Sequence, residues 1–375
     1  MKTFNGLKRF RFLCLPLLCA ALLLFAGSAL ADRSGILGGL SWTLDAAGTL
    51  TVSGSGTMGS VSETDAWRPY SSEIRKVVLG DGVTSVAGWA FRDCAGLSDV
   101  TLPDSVAAVG MGAFYGCSSL TAVTLPRGVT VVDSFTFFNC TSLSSVSLPD
   151  GLVSVGSSAF NGCASLAGIT VPSGATGIGA WAFSGCSSLA SVSLPNSVTT
   201  IGAGAFAGCG SLSAFTVPSG VSSLGEKVFY GCVNLVSVRL PASVTYIDDA
   251  AFSDCSSLSL TLYPSAYLLD YAKSHSIPYT VYGVRRLTVP LRTAYIKAEA
   301  FAGTDCEAVY IPDGIQSIGP RAFANCPRLI YISLPCGFTA IDETAFQGSE
   351  NVYIDYRKSG SPSTPTDLPA TSTDL

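Results

Sequence analysis

Read as a pattern of apolar and polar positions, the chain repeats itself. A phenylalanine recurs every 23 residues at Phe91, Phe114, Phe137, Phe160, Phe183, Phe206, Phe229 and Phe252. The runs Cys94 to Cys255, Leu97 to Leu258 and Pro103 to Pro264 keep the same step. A fixed period of about 20–50 residues marks a stacked array rather than an ordinary globule. Within one unit, Val123-Thr124-Leu125 alternates, which predicts a short strand with Val and Leu inward and Thr outward. Pro126 lacks an N–H and ends that strand. Val129 and Val132 predict a second inward segment. The glycine that usually follows it (Gly110, Gly156, Gly179, Gly202, Gly225) predicts a tight corner, and Asp133 and Asp248 replace it as residues that tolerate unusual backbone. One unit cannot bury enough apolar surface to offset the entropy of ordering it, so the units must stack. Their strands then lie about 4.8 Å apart in a parallel ladder. The fold class is therefore a repeat solenoid of short parallel β-strands.

The flanks read differently. Residues 1–31 carry Lys2, Lys8, Arg9 and Arg11, then an apolar stretch from Phe12 to Ala26, then Ala29-Leu30-Ala31. This is the pattern of a secretory signal peptide cleaved after Ala31. Residues 32–76 predict an N-terminal β cap, with Leu40–Leu44 and Thr49–Val52 as a hairpin turning at Asp45-Ala46-Ala47-Gly48. The regular array covers 77–264. Over 265–286 a short helical coil interrupts it: Ser265 caps a helix running to Lys273, and Ile277 to Tyr282 reads as a strand. Three further units, with Phe301, Phe323 and Phe346, fill 287–356. Phe252 to Phe301 is 49 residues, two periods plus three, so a continuous coil is favoured there over a hinge. Residues 357–375 are mostly Ser, Thr, Pro and Asp and read as a disordered tail.

The unit A-F-x-G-C-x-S-L-x-x-V-x-L-P resembles the BspA-like leucine-rich repeat over residues 77–356. The resemblance implies a right-handed leucine-rich-repeat solenoid, with a hairpin cap carrying a tryptophan like Trp67 and, in many members, a helical coil like 265–286. It also implies a bacterial or protist surface protein, of the kind that resembles adhesins for matrix proteins, other cells or innate immune receptors.

Charge narrows the function. Only 13% of residues are charged, about half the usual share. Four of the 21 Lys and Arg lie in the leader, which leaves 17 against 26 acids. That sign argues against nucleic acid, whose phosphates demand a basic face. A single histidine, His275, makes histidine-based catalysis or metal ligation improbable. Gly54-Ser55-Gly56-Thr57-Met58-Gly59 imitates a dinucleotide fingerprint, but no apolar helix follows it. No enzyme activity, cofactor or metal is expected. After leader cleavage no segment is long enough to span a membrane. The mature chain keeps eleven cysteines, an odd number. Neighbours one strand spacing apart fall within disulfide range, and a secreted chain could oxidise them. Their inward position favours a column of buried thiols instead.

Two surface columns remain as candidate binding faces. The outward strand residues Thr101, Thr124, Ser147, Thr170, Ser193, Thr216 and Arg239 would line the concave face. Trp89, Phe135 and Trp181, two residues before the repeated Phe in alternate units, join Tyr115, Phe138 and Tyr230, one residue after it, as an aromatic ridge facing outward. The expected function is a secreted or cell-surface binding protein, monomeric, an adhesin contacting an extracellular protein or glycan through a preformed face. The alternative is a structural envelope or matrix spacer without a specific ligand.

Overall fold

The computed structural model describes residues 33–62, 66–282, 285–289, 294–349 and 351–357. The leader and the tail beyond residue 357 lie outside the described residues. The chain winds as a parallel β-solenoid, and each regular coil has three sides. One side is a three-residue strand, such as Ala122–Thr124, with Ala122 and Thr124 exposed and Val123 buried. The second is a two-residue strand, such as Val131–Val132, with Val132 inward. The third carries the repeated Phe. There the Phe114 N–H donates to Thr136 O at 2.9 Å and the Phe137 N–H to Ala159 O at 2.8 Å. Successive coils are therefore hydrogen-bonded on every side, as buried backbone requires.

The core is a set of columns. The rings from Phe91 to Phe252 stack at 5.3–5.8 Å. Burying one such ring contributes about 1.5–3 kcal/mol, and offset stacking adds about 0.5–1.5 kcal/mol. Beside the rings, the cysteines are free thiols. Each Sγ from Cys117 to Cys255 donates to the carbonyl of the Phe 26 residues earlier, at 3.1–3.2 Å. Each of these carbonyls also accepts the backbone N–H of the cysteine three residues after it, so the thiol adds a second bond and is itself satisfied.

The corner glycines have a different reason from the one expected. Gly110, Gly156, Gly179 and Gly202 have ordinary φ; instead an added Cβ would meet the preceding coil's backbone at 2.3–2.7 Å. Close approach of neighbouring coils, not backbone conformation, selects these four; at Gly225 an added Cβ would meet nothing within 4 Å. The left-handed positions lie elsewhere, two residues before and two after the repeated Phe. Trp89 has φ 60°, Gly112 61°, Phe135 60° and Asn139 56°.

At the N-terminal end, Arg33–Leu37, Leu40–Leu44 and Thr49–Gly54 form an antiparallel meander. The first of these strands was not evident from the alternation. The third pairs in parallel with Lys76–Leu79 and so starts the solenoid's own ladder. Trp67 is fully buried, stacks on Phe91 at 5.6 Å and donates its indole N–H to Ala90 O at 2.8 Å. It closes the end of the phenylalanine column.

The expected continuity through residues 265–286 does not hold. The helix Ala266–Ser274 forms, capped by Ser265, whose Oγ accepts from the Leu268 N–H. The strand Tyr279–Val281 then pairs with Ser259–Leu262 and ends that sheet. The next strand, Arg286–Thr288, belongs to a new sheet with Ala308–Tyr310, Tyr331–Leu334 and Tyr353–Tyr356. The ring column likewise ends at Phe252 and restarts as Phe301, Phe323 and Phe346. Ala308 and Tyr331, on the outer face of the new sheet, join the first core. The second sub-array therefore lays its strand face across the helical end of the first. The reason is apolar: an uncovered solenoid end leaves its core open, and Tyr331 and its neighbours cover it. Arg357, assigned by sequence to the tail, is instead docked, its N–H donating to Leu334 O at 2.9 Å.

Candidate binding faces

The strand face of the first sub-array is open. Thr101, Thr124, Ser147, Thr170, Ser193, Thr216 and Arg239 are all exposed and stand at the third position of their strands. Beside them runs a second column that sequence reasoning did not single out: Ala122, Ser145, Gly168, Ser191 and Ala214. Small residues at both outward positions leave a flat, uncharged strip edged with hydroxyls. The strands of this face pair two by two, Ala122–Thr124 with Ser145–Ser147 and Gly168–Thr170 with Ser191–Ser193. Ser191–Ser193 and Ala214–Thr216 belong to separate sheets, and over that break lies a depression of about 480 Å³ lined by Ser193, Thr216, Arg239 and Thr261. The Arg239 guanidinium lies 3.7 Å over the Tyr282 ring, which holds the one cation of the column in place. Thr261 and Thr280 continue the column in register with Arg239. A strict 23-residue step from Arg239 lands on Leu262 instead, because one residue is lost between Ser237 and Ser259; the local alternation Leu260-Thr261-Leu262 carries the correct signal.

The same face of the second sub-array is closed. Tyr310, Ser333 and Asp355 occupy the equivalent outward position. Ser333 is 1% exposed, Asp355 6% and the neighbouring Tyr331 2%.

The aromatic ridge resolves into one cluster and two separate residues. Trp89 lies 5.7 Å from Tyr115 and 6.3 Å from Phe135; Tyr115 stacks on Phe138 at 4.7 Å. Arg92 sits 5.9 Å from the Trp89 ring. Trp181 and Tyr230, 38% and 41% exposed, are not in that cluster. The ridge position is less free than its variability suggests. A Cβ on Gly112 would meet the Trp89 ring at 2.3 Å, and one on Gly204 the Trp181 ring at 2.3 Å. Each tryptophan lies over the glycine of the next coil, whereas the coil after Phe135 carries Ser158. Trp89 is 36% exposed and Tyr115, Phe135 and Phe138 are half-buried; the cluster is partly packing and partly surface.

The chemistry-bearing groups elsewhere are quiet. His275 contacts Tyr271 O at 2.9 Å through Nδ1 and Asp249 at 3.3 Å through Nε2. Asp249 is 95% exposed, and a solvated partner of that kind contributes little. Burial pushes the Cys140, Cys186 and Cys232 thiols up to about 12, far from the thiolate that nucleophilic chemistry needs. Among the described residues no group of three or more His, Cys, Asp or Glu is placed to hold a metal ion. Residues 54–59 run into the short strand Gly56–Thr57, not into a helix. No described helix is long and apolar enough to cross a membrane.

Comparison with known proteins identifies the repeat. The profile of the BspA type leucine-rich repeat region, in six copies, matches residues 69–190, 176–277 and 279–360. Among solved structures, a leucine-rich repeat protein from Bacteroides ovatus is 22% identical, over 86% of this chain and 100% of that one, with a TM-score of 0.42. A leucine-rich cell surface protein from Faecalibacterium prausnitzii is 24% identical, over 88% and 96%, with a TM-score of 0.37. The leucine-rich repeat protein of Treponema pallidum is 28% identical, over 66% and 95%, with a TM-score of 0.38. No curated protein matches the chain. With its repeats matched from residue 69 to 360, the chain belongs to the BspA-type leucine-rich repeat family.

Proposed function

We propose that the protein is secreted and held at a cell surface, and that it works there as a monomeric, non-catalytic adhesin. Its ligand is an extracellular protein or glycan, and the binding face is the strand face of the first sub-array. The observation that carries this reading is the open double column: Thr and Ser beside Ala, Ser and Gly over successive coils, ending at the depression beneath Arg239. A ladder fixed on three sides loses little conformational freedom on binding, so its contacts are not spent on ordering. The half-exposed cluster around Trp89 is a second contact area on another side of the coil, since aromatic anchors with an adjacent Arg are typical of contact surfaces.

The test is binding of residues 32–375 to matrix proteins, mucins, glycans and innate receptor ectodomains. A parallel sample carries Thr124→Asp, Thr170→Asp and Thr216→Asp together. Saturable binding that the triple variant loses supports the proposal. Binding that survives it, and is lost in Trp89→Ala, moves the site to the aromatic cluster. Binding to nothing in the panel contradicts the adhesin reading and favours a structural role in the envelope.

A further inference from the structure

The second sub-array does not seal completely against the helical end of the first. A cleft of about 460 Å³ remains, lined by Lys273 and Tyr279 on one side and by Tyr310, Ser333, Tyr356 and Arg357 on the other. Its polar groups are unequally satisfied. Asp355 is saturated: Oδ2 accepts from the Tyr279 hydroxyl at 2.8 Å and the Tyr331 hydroxyl at 2.6 Å, and Oδ1 faces Lys273 Nζ at 2.9 Å. Arg357 is not. Its Nη2 donates to Ile311 O at 2.8 Å and to Asp313 Oδ1 at 2.7 Å. Its Nη1 is buried without an acceptor, in a side chain only 9% exposed. Arg286 repeats the pattern nearby. Its guanidinium lies 5.0 Å from the Tyr310 ring and Nη2 donates to Val281 O at 2.6 Å, yet its buried Nε has no acceptor. A buried donor left unpaired is costly, and more so when it is charged. Native interiors hold few of them.

We infer that this cleft is a binding site for a carboxylated sugar. The charge balance points to an anion: Lys273 and Arg357 line the cleft and Arg286 stands against the Tyr310 ring beside it, set against one buried carboxylate, Asp355, and one at the rim, Asp313, which is 66% exposed. A carboxylate matches the planar N–H fork of a guanidinium. Tyr310 and Tyr356 offer flat apolar walls for a pyranose ring, and the tyrosine hydroxyls offer partners for its hydroxyls. The volume falls in the range of about 300–1,000 Å³ typical of small-molecule sites. The site lies at the junction and is independent of the strand face proposed above.

Titration calorimetry on the full chain with D-glucuronate tests this, with D-glucose and sulfate as controls. Glucuronate is expected to saturate with Kd at or below about 1 mM, and both controls to bind at least about tenfold more weakly. Arg357→Gln is expected to weaken glucuronate at least about tenfold. Because that change also removes contacts to Ile311 and Asp313, Tyr356→Ala serves as the second variant. Tyr356 is 57% exposed at the cleft mouth, so its loss should weaken glucuronate severalfold and leave the melting temperature unchanged. Glucose binding as tightly as glucuronate would overturn the role of the cations. Sulfate binding as tightly would overturn the sugar assignment. No binding of glucuronate up to about 10 mM would overturn the site altogether.

Discussion

The two sub-arrays are built from the same unit yet use the same face in opposite ways. Both stack phenylalanine rings at similar spacing, 5.3 Å for Phe160 on Phe183 and 5.3 Å for Phe301 on Phe323. Both run parallel strands in register. They differ at the outward strand positions. The first sub-array places Thr, Ser, Ala and Gly there, and the face stays in water. The second places Tyr310, Tyr331, Tyr353 and Asp355 there, and the face is taken up by the first sub-array's own end, through Tyr279 and Lys273 on Asp355 and Asp270 on Tyr353. The inward columns set the coil; the outward columns decide whether a finished coil binds something else or its own chain.

The largest expected effect comes from breaking the junction. Asp355→Ala leaves Lys273 without its ion partner and the Tyr279 and Tyr331 hydroxyls without an acceptor. Lys273 is 37% exposed, so water offsets much of its loss; the two tyrosine hydrogen bonds to a charged acceptor are each worth about 1.5–3 kcal/mol. Chemical denaturation should then show the second sub-array unfolding ahead of the first, where the unaltered protein is expected to unfold in one coupled transition. A single unchanged transition would mean that the two sub-arrays are not held by this contact.

Alkaline pH should act on the first sub-array, which carries the long thiol column, and above about 10 also on the junction, where burial pushes the Tyr279 and Tyr331 hydroxyls up. Below the unfolded thiol range, near 9, the cysteines are protonated in both states. Above it the unfolded chain ionises, while Cys94, Cys140, Cys186 and Cys232 stay protonated until about 12. Folding stability is therefore expected to fall as pH rises from 9 towards 12, in reductant. Flat stability across that window, read by urea denaturation, would contradict the buried column.

A smaller loss is expected from Gly204→Ala. The added Cβ meets the Trp181 ring at 2.3 Å and the backbone has φ of 63°. The cost should exceed about 1 kcal/mol, and Trp181→Gly in the same chain should recover part of it. Equal costs in both backgrounds would show that the two positions are not coupled. Smallest of all, Thr170→Asp on the open face should change stability by less than about 0.5 kcal/mol, read as an unchanged melting temperature, while reducing ligand binding.

Much of this was legible in the sequence because the inward columns are strictly periodic. Phe, Cys and Leu at a step of 23 fix the stack, the thiol column and the orientation of Thr124 and its equivalents. The junction was not legible from periodicity. Phe252 to Phe301 fits two periods with three residues over, and spacing cannot say whether hydrogen bonding crosses the gap. A signal existed in residue type: Tyr331 and Tyr353 are large where Ala122, Ser145 and Ala214 are small, and Tyr310 is large where Thr124 and its equivalents stand. Large aromatics on a nominally solvated strand face indicate a covered face. The left-handed backbone at Trp89, Phe135 and Trp181 was hidden for a related reason. Glycine at Gly112 and Gly204 reads as free variation until the ring lying over it is seen.

The most direct measurement compares the two faces in one chemistry. Thr170→Cys and Ser333→Cys would each be placed in a chain whose exposed Cys336 is changed to Ser, and labelled with a thiol reagent under native conditions. Thr170→Cys should react at the rate of a free surface thiol. Ser333→Cys, at a position 1% exposed, should react only as fast as the junction opens, about as slowly as the buried column. Equal, fast labelling at both positions would contradict a second sub-array that closes its strand face on the first.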